Sequence, residues 1–321
     1  MQKIADHLGI TKVSVSKALS NRPGVSDDLR RRIVETASNM GYVPGQSQAE
    51  KKSYAFVVPK RYFLETDKFY NAIFYYMNNL YMKGNSTLVP VIINITREEN
   101  VEKKGFYDDF DGIFLAGELS ELYINMIHST GKPIVAIDFY KTHLDVPYVL
   151  IDNFYIGYQV TNYLIENGHE EIGFVGNISQ TSSISDRFFG YLKALQEASV
   201  SLCEEWIISN NDAKSGLYDI NTELPSIMPT AFVCHCDMAA YFLSNTLKKS
   251  GLSVPDNISL ISFDNTEISE AYGLTSVDID KRDIADTAID VMDRIVQGKK
   301  HHNRNYVSTQ LIIRNSVKTL V

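Results

Sequence analysis

Apolar residues recur every three or four positions over the first forty residues. Ile4, Ala5 and Leu8 form one set, Val15, Ala18 and Leu19 a second, and Leu29, Ile33, Ala37 and Met40 a third. That period predicts three short helices, each burying one face. Gly9 follows the first set, where a helix must stop and turn, and Thr11 is placed to cap the second. Ser26 opens the third with Asp27 and Asp28 in its first turn, and Gly41 ends it. The outer side of the second helix keeps Lys12, Val13, Ser14, Ser16, Lys17 and Ser20. Three such helices around one small core make a helix-turn-helix unit.

From Tyr54 the pattern changes. Continuous apolar runs such as "YAFVVP", "GIFLAG", "PIVAI", "EIGFVGN", "TAFVCH" and "SLISFD" alternate with amphipathic stretches such as "FYNAIFYYMNNLYMKG". Apolar strands alternating with helices imply a parallel sheet covered on both faces. Eleven such strands are too many for one sheet of ordinary width. The prediction is therefore an α/β chain with an N-terminal three-helix head and a body of two doubly wound parallel-sheet subdomains. A ligand is expected in the crevice between the carboxyl ends of their strands.

Charge sharpens this division. The 321-residue chain carries a net charge of -8, yet residues 1–45 are +3 and the rest -11. A basic head on an acidic body assigns contact with a polyanion to the head. No apolar run approaches the roughly 20 residues of a membrane span, and no apolar signal region opens the chain, so a cytoplasmic location without membrane contact is expected. The three cysteines, Cys203, Cys234 and Cys236, form no disulfide framework. "CHC" at 234–236 alternates faces, so its side chains do not converge on a metal; neither metal nor cofactor is expected.

Strand ends are where polar chemistry belongs in such a body. Asp152 follows "VLI", Asp237 follows "FVCHC", Asp264 follows "LISF", and Arg187 lies at a helix entry in "DRFFG". Three carboxylates and a guanidinium suit a ligand rich in hydroxyls, and Phe69 or Tyr70 offers a ring for the apolar face of a sugar. Each also has a plainer use: an Asp at a strand end caps a helix, and Arg187 can pair with Asp186. His169, just beyond a helix end, is expected to cap carbonyls. No G-x-S-x-G, P-loop or G-x-G-x-x-G follows a strand, so no enzyme is expected.

The head, "KIADHLGITKVSVSKALSNRPGVSDDLRRRIVETASNMGYVP", resembles the DNA-binding domain of the LacI/GalR family of bacterial transcriptional regulators. The body is similar to the same family through "FDGIFLAG", "KPIVAID", "VLIDNFYIG", "DRFFGYLKAL", "CDMAAYF" and "VPDNISLISFDN". The resemblance implies a periplasmic-binding-protein-like body and a homodimer on a pseudo-palindromic double-stranded operator. It further implies a small effector, of sugar or sugar-derivative type, that alters DNA affinity. Base-reading positions fall on Lys12, Val13 and Lys17, and phosphate contacts on Thr11, Ser14, Ser16 and Ser20. Effector contacts fall on Phe69, Asp152, Arg187, Asp237 and Asp264. The implied domains are a head at 1–44, a linker at 45–53 and a body at 54–321. Within the body, subdomain one is 54–150 plus 276–304, and subdomain two is 151–275 plus 305–321.

The chain departs from the family pattern in its linker and at two places in the cleft, among others. The linker "GQSQAEKKS" is short, lacks leucine and carries Glu50, so either the operator is bound without a sharp kink or the coupling to it is altered. Cys236-Asp237 replaces an Asn-Asp pair, exchanging an amide for a weakly bonding thiol. "NNDAKSG", after the strand containing Trp206, offers no ring to the cleft.

Overall fold

The computed structural model describes residues 1–19, 22–40, 51–63, 68–94, 104–141, 144–209, 218 and 222–320. It divides into two compact units, residues 1–52 and 53–321.

In the first unit the helices are α1 (Gln2–Leu8), α2 (Lys12–Leu19) and α3 (Asp27–Asn39). Gly9 ends α1 in the left-handed region at φ 65°, a conformation open to glycine at little cost. Thr11 caps α2, its hydroxyl accepting from the Ser14 amide at 3.1 Å, and the Ser26 hydroxyl accepts from Leu29 N at the start of α3. The shared core is Ile4, Ala5, Val15, Ala18, Ile33 and Ala37. Met40, expected in this core, is 44% exposed. The backbone has left the helical path there, at φ -87° and ψ 8°, and no longer carries the side chain to the Ile33–Ala37 face.

The second unit opens with β1 (Ser53–Pro59), α4 (Phe69–Lys83), β2 (Thr87–Ile93), β3 (Gly112–Ala116), α5 (Glu121–His128), β4 (Ile134–Ile137) and β5 (Tyr148–Leu150). Then come α6 (Asn153–Glu166), β6 (Ile172–Val175), α7 (Ser182–Glu197), β7 (Ile207–Ile208), β8 (Ala231–Cys234), α8 (Asp237–Lys249) and β9 (Ser259–Phe263). Last are α9 (Glu267–Ala271), β10 (Thr275–Ile279), α10 (Lys281–Val296), β11 (Arg304–Tyr306) and β12 (Thr309–Ile312).

The strands form two six-stranded sheets, ordered β11-β5-β4-β3-β1-β2 and β12-β10-β9-β8-β6-β7. All described pairings are parallel except β10 with β12. In β1 the period of two sends Tyr54, Phe56 and Val58 into a core with Ile73 and Met77 of α4 and Ala288 and Met292 of α10. Ala55 and Val57 face the other way, into a core with Ile124 and Ile127 of α5. Burial on both faces is why these strands read as unbroken apolar runs.

The chain crosses between sheets after β5, after β10 and after β11. The later two crossings differ from the expected 275/276 and 304/305. Strand β10 stays in the second sheet to Ile279, and β11 stays in the first to Tyr306, because a hydrogen-bonded strand changes sheets only once its ladder ends.

Candidate functional site

Where the two sheets' strand ends face each other, a cavity opens to solvent. Its wall includes Phe69, Arg187, Asp237 and Asp264, four of the five residues expected there, together with Tyr70. The fifth, Asp152, is elsewhere. It caps α6, accepting from the Tyr155 amide at 3.0 Å, and lines a smaller neighbouring cavity. Its plainer use as a helix cap draws it away from the main cavity.

Arg187 is held rigidly. Its Nε donates to Asn153 Oδ1 at 2.8 Å, its Nη1 donates to the His235 carbonyl, and its Nη2 lies 3.7 Å from Asp264 Oδ1. The guanidinium also sits over the Phe263 ring, 4.5 Å from its centroid. Asp186 is not its partner; that carboxylate accepts from the Tyr140 hydroxyl.

Arg187 is placed by a tight crossing of α6 and α7. A Cβ on Gly157 would lie 2.2 Å from the Arg187 carbonyl oxygen, and one on Gly190 would lie 2.1 Å from that of Phe154. Only glycine permits this approach.

Asp237 is occupied from within. Its Oδ1 accepts from the Ser262 and Ser276 hydroxyls, both at 2.6 Å, and its Oδ2 accepts from Thr266 N at 2.6 Å and Thr266 Oγ1 at 2.8 Å. A carboxylate offers about four acceptor sites, so a residue expected to meet a ligand instead joins α8, β9, β10 and the Thr266 turn.

The acceptor capacity that remains belongs to Asp264 and to Asp138, which the sequence reading did not single out. Both follow strand ends and both have positive φ, 97° and 63°, a conformation tolerated by Asp better than by most side chains. Burial pushes the Asp138 carboxyl up to about 6, against the pull of Arg187 and the Tyr70 hydroxyl, which donates to its Oδ2 at 2.7 Å. Burial likewise raises Asp264 to about 6, with Arg187 opposing. His235 is lowered to about 4, chiefly by burial and then by Arg187, so its ring is neutral at pH 7. Asp138 was legible only as the residue after "PIVAI", the same strand-end signal that marked Asp152 and Asp264.

Cys236 caps α8, its sulfur accepting from Ala239 N at 3.4 Å, and burial pushes its thiol up to about 12. The ring expected to be missing is supplied by Tyr218. It lines the cavity, stacks on Phe242 at 5.1 Å and lies 3.0 Å from Cys236 Sγ through its hydroxyl. The aromatic thus comes from just beyond the "NNDAKSG" stretch, where a search of that stretch alone misses it. His169 bridges Thr230 Oγ1 at 2.9 Å and the Lys318 carbonyl at 3.0 Å, tying the C-terminal segment to the body instead of capping its own helix.

On the head, Lys12, Val13, Ser16 and Lys17 form an exposed face of α2, with Val13 63% exposed. The Thr11 and Ser14 hydroxyls are 2.9 Å apart. Arg30 is turned inward, donating to the Ala18 and Arg22 carbonyls, which fixes α3 against the end of α2. Ser20 and residues 45–50 of the linker, including Glu50, lie outside the described residues.

A family model described as a periplasmic binding protein-like domain matches residues 161–317. Over its whole length the chain is 26% identical to the HTH-type transcriptional repressor PurR of Actinobacillus pleuropneumoniae serotype 3 (strain JL03), covering 98% of that protein. The fold matches the transcriptional regulator CelR in complex with cellobiose, with a TM-score of 0.68, 23% identity and 98% of each chain covered. It also matches the lac repressor dimer bound to operator and the anti-inducer ONPF, with a TM-score of 0.69, 18% identity and 98% of each chain covered. These likenesses agree with the resemblance to LacI/GalR regulators carried by the sequence motifs. Cys236 and Tyr218 both line the cavity at the strand ends. Among the described residues no helix is long and apolar enough to cross a membrane.

Proposed function

We propose that the chain is a sequence-specific DNA-binding transcriptional repressor, acting as a homodimer, whose affinity for operator DNA is set by a small carbohydrate-like ligand in the large cavity. The observation that carries this reading is the exposed face of α2, where two cations, a small apolar side chain and short hydroxyls stand clear of a packed three-helix core. Lys12, Val13 and Lys17 read bases, while Thr11, Ser14, Ser16 and Ser20 meet phosphates. A sugar-binding protein without DNA binding accounts for the cavity but leaves this face unused.

In the body, Phe69, Arg187 and Asp264 touch the ligand, Asp138 joins them, and Asp237 positions the Thr266 turn from behind. Rings beside carboxylates that accept hydroxyl hydrogens support a saccharide, and CelR was captured with cellobiose. The cavity binds without turnover, so an added ligand is recovered unchanged after prolonged incubation.

Selection of fragments from the cell's own upstream DNA by the full chain, at low salt where phosphate contacts are strongest, tests the reading. Enrichment of a pseudo-palindromic site is expected; uniform recovery of all fragments overturns it. A thermal-shift screen over mono- and disaccharides then identifies the ligand, because a ligand that binds only the folded state raises the unfolding midpoint with concentration.

A further inference from the structure

The body is acidic as a whole, yet after Asp293 the sequence contains no Asp or Glu. Its basic residues there concentrate in "GKKHHNR", which joins α10 to β11 and holds Lys299, Lys300, His301, His302 and Arg304. Lys299, Lys300, His302 and Arg304 are exposed. Among the described residues no carboxylate pairs with Lys299, Lys300 or Arg304. Cations near a helix C-terminus ordinarily offset its dipole. That use extends to Lys299 and Lys300 beside the end of α10, but not to Arg304, which already belongs to β11.

The backbone of this loop is fixed from within. Gly298 follows α10 at φ 64°, and Lys299 N donates to the Arg294 carbonyl at 2.8 Å. His301 Nδ1 donates to the Lys299 carbonyl at 3.3 Å, and Asn305 Nδ2 donates to the His302 carbonyl at 3.0 Å. A fixed backbone with cations turned to solvent meets an anion without first having to be ordered.

Its place in the sheet names the anion. Strands β1, β3, β4, β5 and β11 pair in parallel, so all begin at one end of the first sheet. The chain from the head enters at that same end, at Ser53, where β1 begins. In the strand order β11 stands four places from β1, which is about 19 Å at ordinary strand spacing. That is little more than half a duplex turn of about 34 Å. Asp108, Asp109 and Asp111 precede β3 and Asp145 precedes β5, which confines the cationic surface of this end to the β11 side.

We propose that the 299–304 loop binds the phosphate backbone of the same duplex that α2 reads, giving the body its own sequence-independent hold on DNA. The inference rests on the DNA-binding reading of the head. A duplex presents one negative charge per ~1.7 Å of its axis, and Lys and Arg neutralise it by displacing counterions. The contact adds to those of the head without passing through the linker.

The test is anisotropy of two labelled duplexes of equal length, the operator recovered by selection and an unrelated sequence, titrated with the full chain between about 50 and 200 mM salt. Lys299→Gln, Lys300→Gln and Arg304→Gln, combined in one variant first shown to unfold at the wild-type midpoint, should weaken both duplexes alike, by about tenfold or more at the lower salt. The slope of log affinity against log salt should fall by about 2 to 3. Lys300→Gln alone should lower it by about 1. A control combining Lys248→Gln, Lys249→Gln and Lys318→Gln, which removes the same charge from the other half of the body, should leave the slope unchanged. An unchanged slope in the loop variant, a loss matched by the control, or a loss confined to the operator overturns the proposal. A wild-type chain that binds both duplexes equally overturns sequence reading by the head instead, and the loop effect is still read on either duplex.

Discussion

Two buried carboxylates in the large cavity behave in opposite ways, and bonding partners decide which. Asp237 receives four hydrogen bonds. Asp237→Ala strands the donors of Ser262, Ser276 and Thr266 and should cost about 3 kcal/mol or more, read as a lower denaturation midpoint; a loss under about 1 kcal/mol would show that the network carries little. Asp138 has one buried oxygen unpaired and a carboxyl raised to about 6 by burial. A carboxyl raised in the fold opposes stability once it must ionise, so its penalty is absent below about pH 4 and complete above about pH 6. Relative to the wild type, Asp138→Asn should gain stability as pH rises from 4 to 6 and hold that gain above. A flat difference across this window would show that Asp138 ionises without cost. Both residues follow strands, a signal the sequence displays. What it hides is which oxygens the fold satisfies, because the donors on Ser262, Thr266 and Ser276 lie 25 to 39 residues from Asp237.

At the scale of elements, the crossing of α6 and α7 sets the cavity. Gly157 and Gly190 let the two backbones touch, and Arg187 is aimed from that contact. Gly190→Ala places a methyl against the Phe154 carbonyl and should cost about 1–3 kcal/mol by forcing the helices apart. Ligand response should weaken with it as Arg187 shifts; a variant of unchanged stability would show that the crossing relaxes freely. The helices and strands themselves were legible, because periods of 3.6 and of unbroken apolar runs follow directly from burial on one or two faces. The ends of elements were not. Met40 leaves the head core at a terminus, Asp152 is drawn into a cap, and β10 and β11 outlast the expected crossings. Each depends on where one hydrogen-bond ladder stops, which side-chain pattern does not encode.

At the scale of the molecule, a basic head and an acidic body suit the proposed division of work between DNA and a small ligand. The resemblance to LacI/GalR regulators rests on motifs running the length of the chain, and the sheet order and full-length similarity agree with it. The thiol of Cys236 was legible as a departure from that resemblance and the ring from Tyr218 was not; both line the cavity and are where ligand preference should depart from relatives. Whether α2 reads DNA sequence is tested by the anisotropy of a labelled operator, recovered by selection, titrated with the full chain and with Lys17→Ala. The substitution should cost about 1–3 kcal/mol on the selected operator and relax preference at one base position. An equal loss on every sequence, or no loss on any, would contradict it.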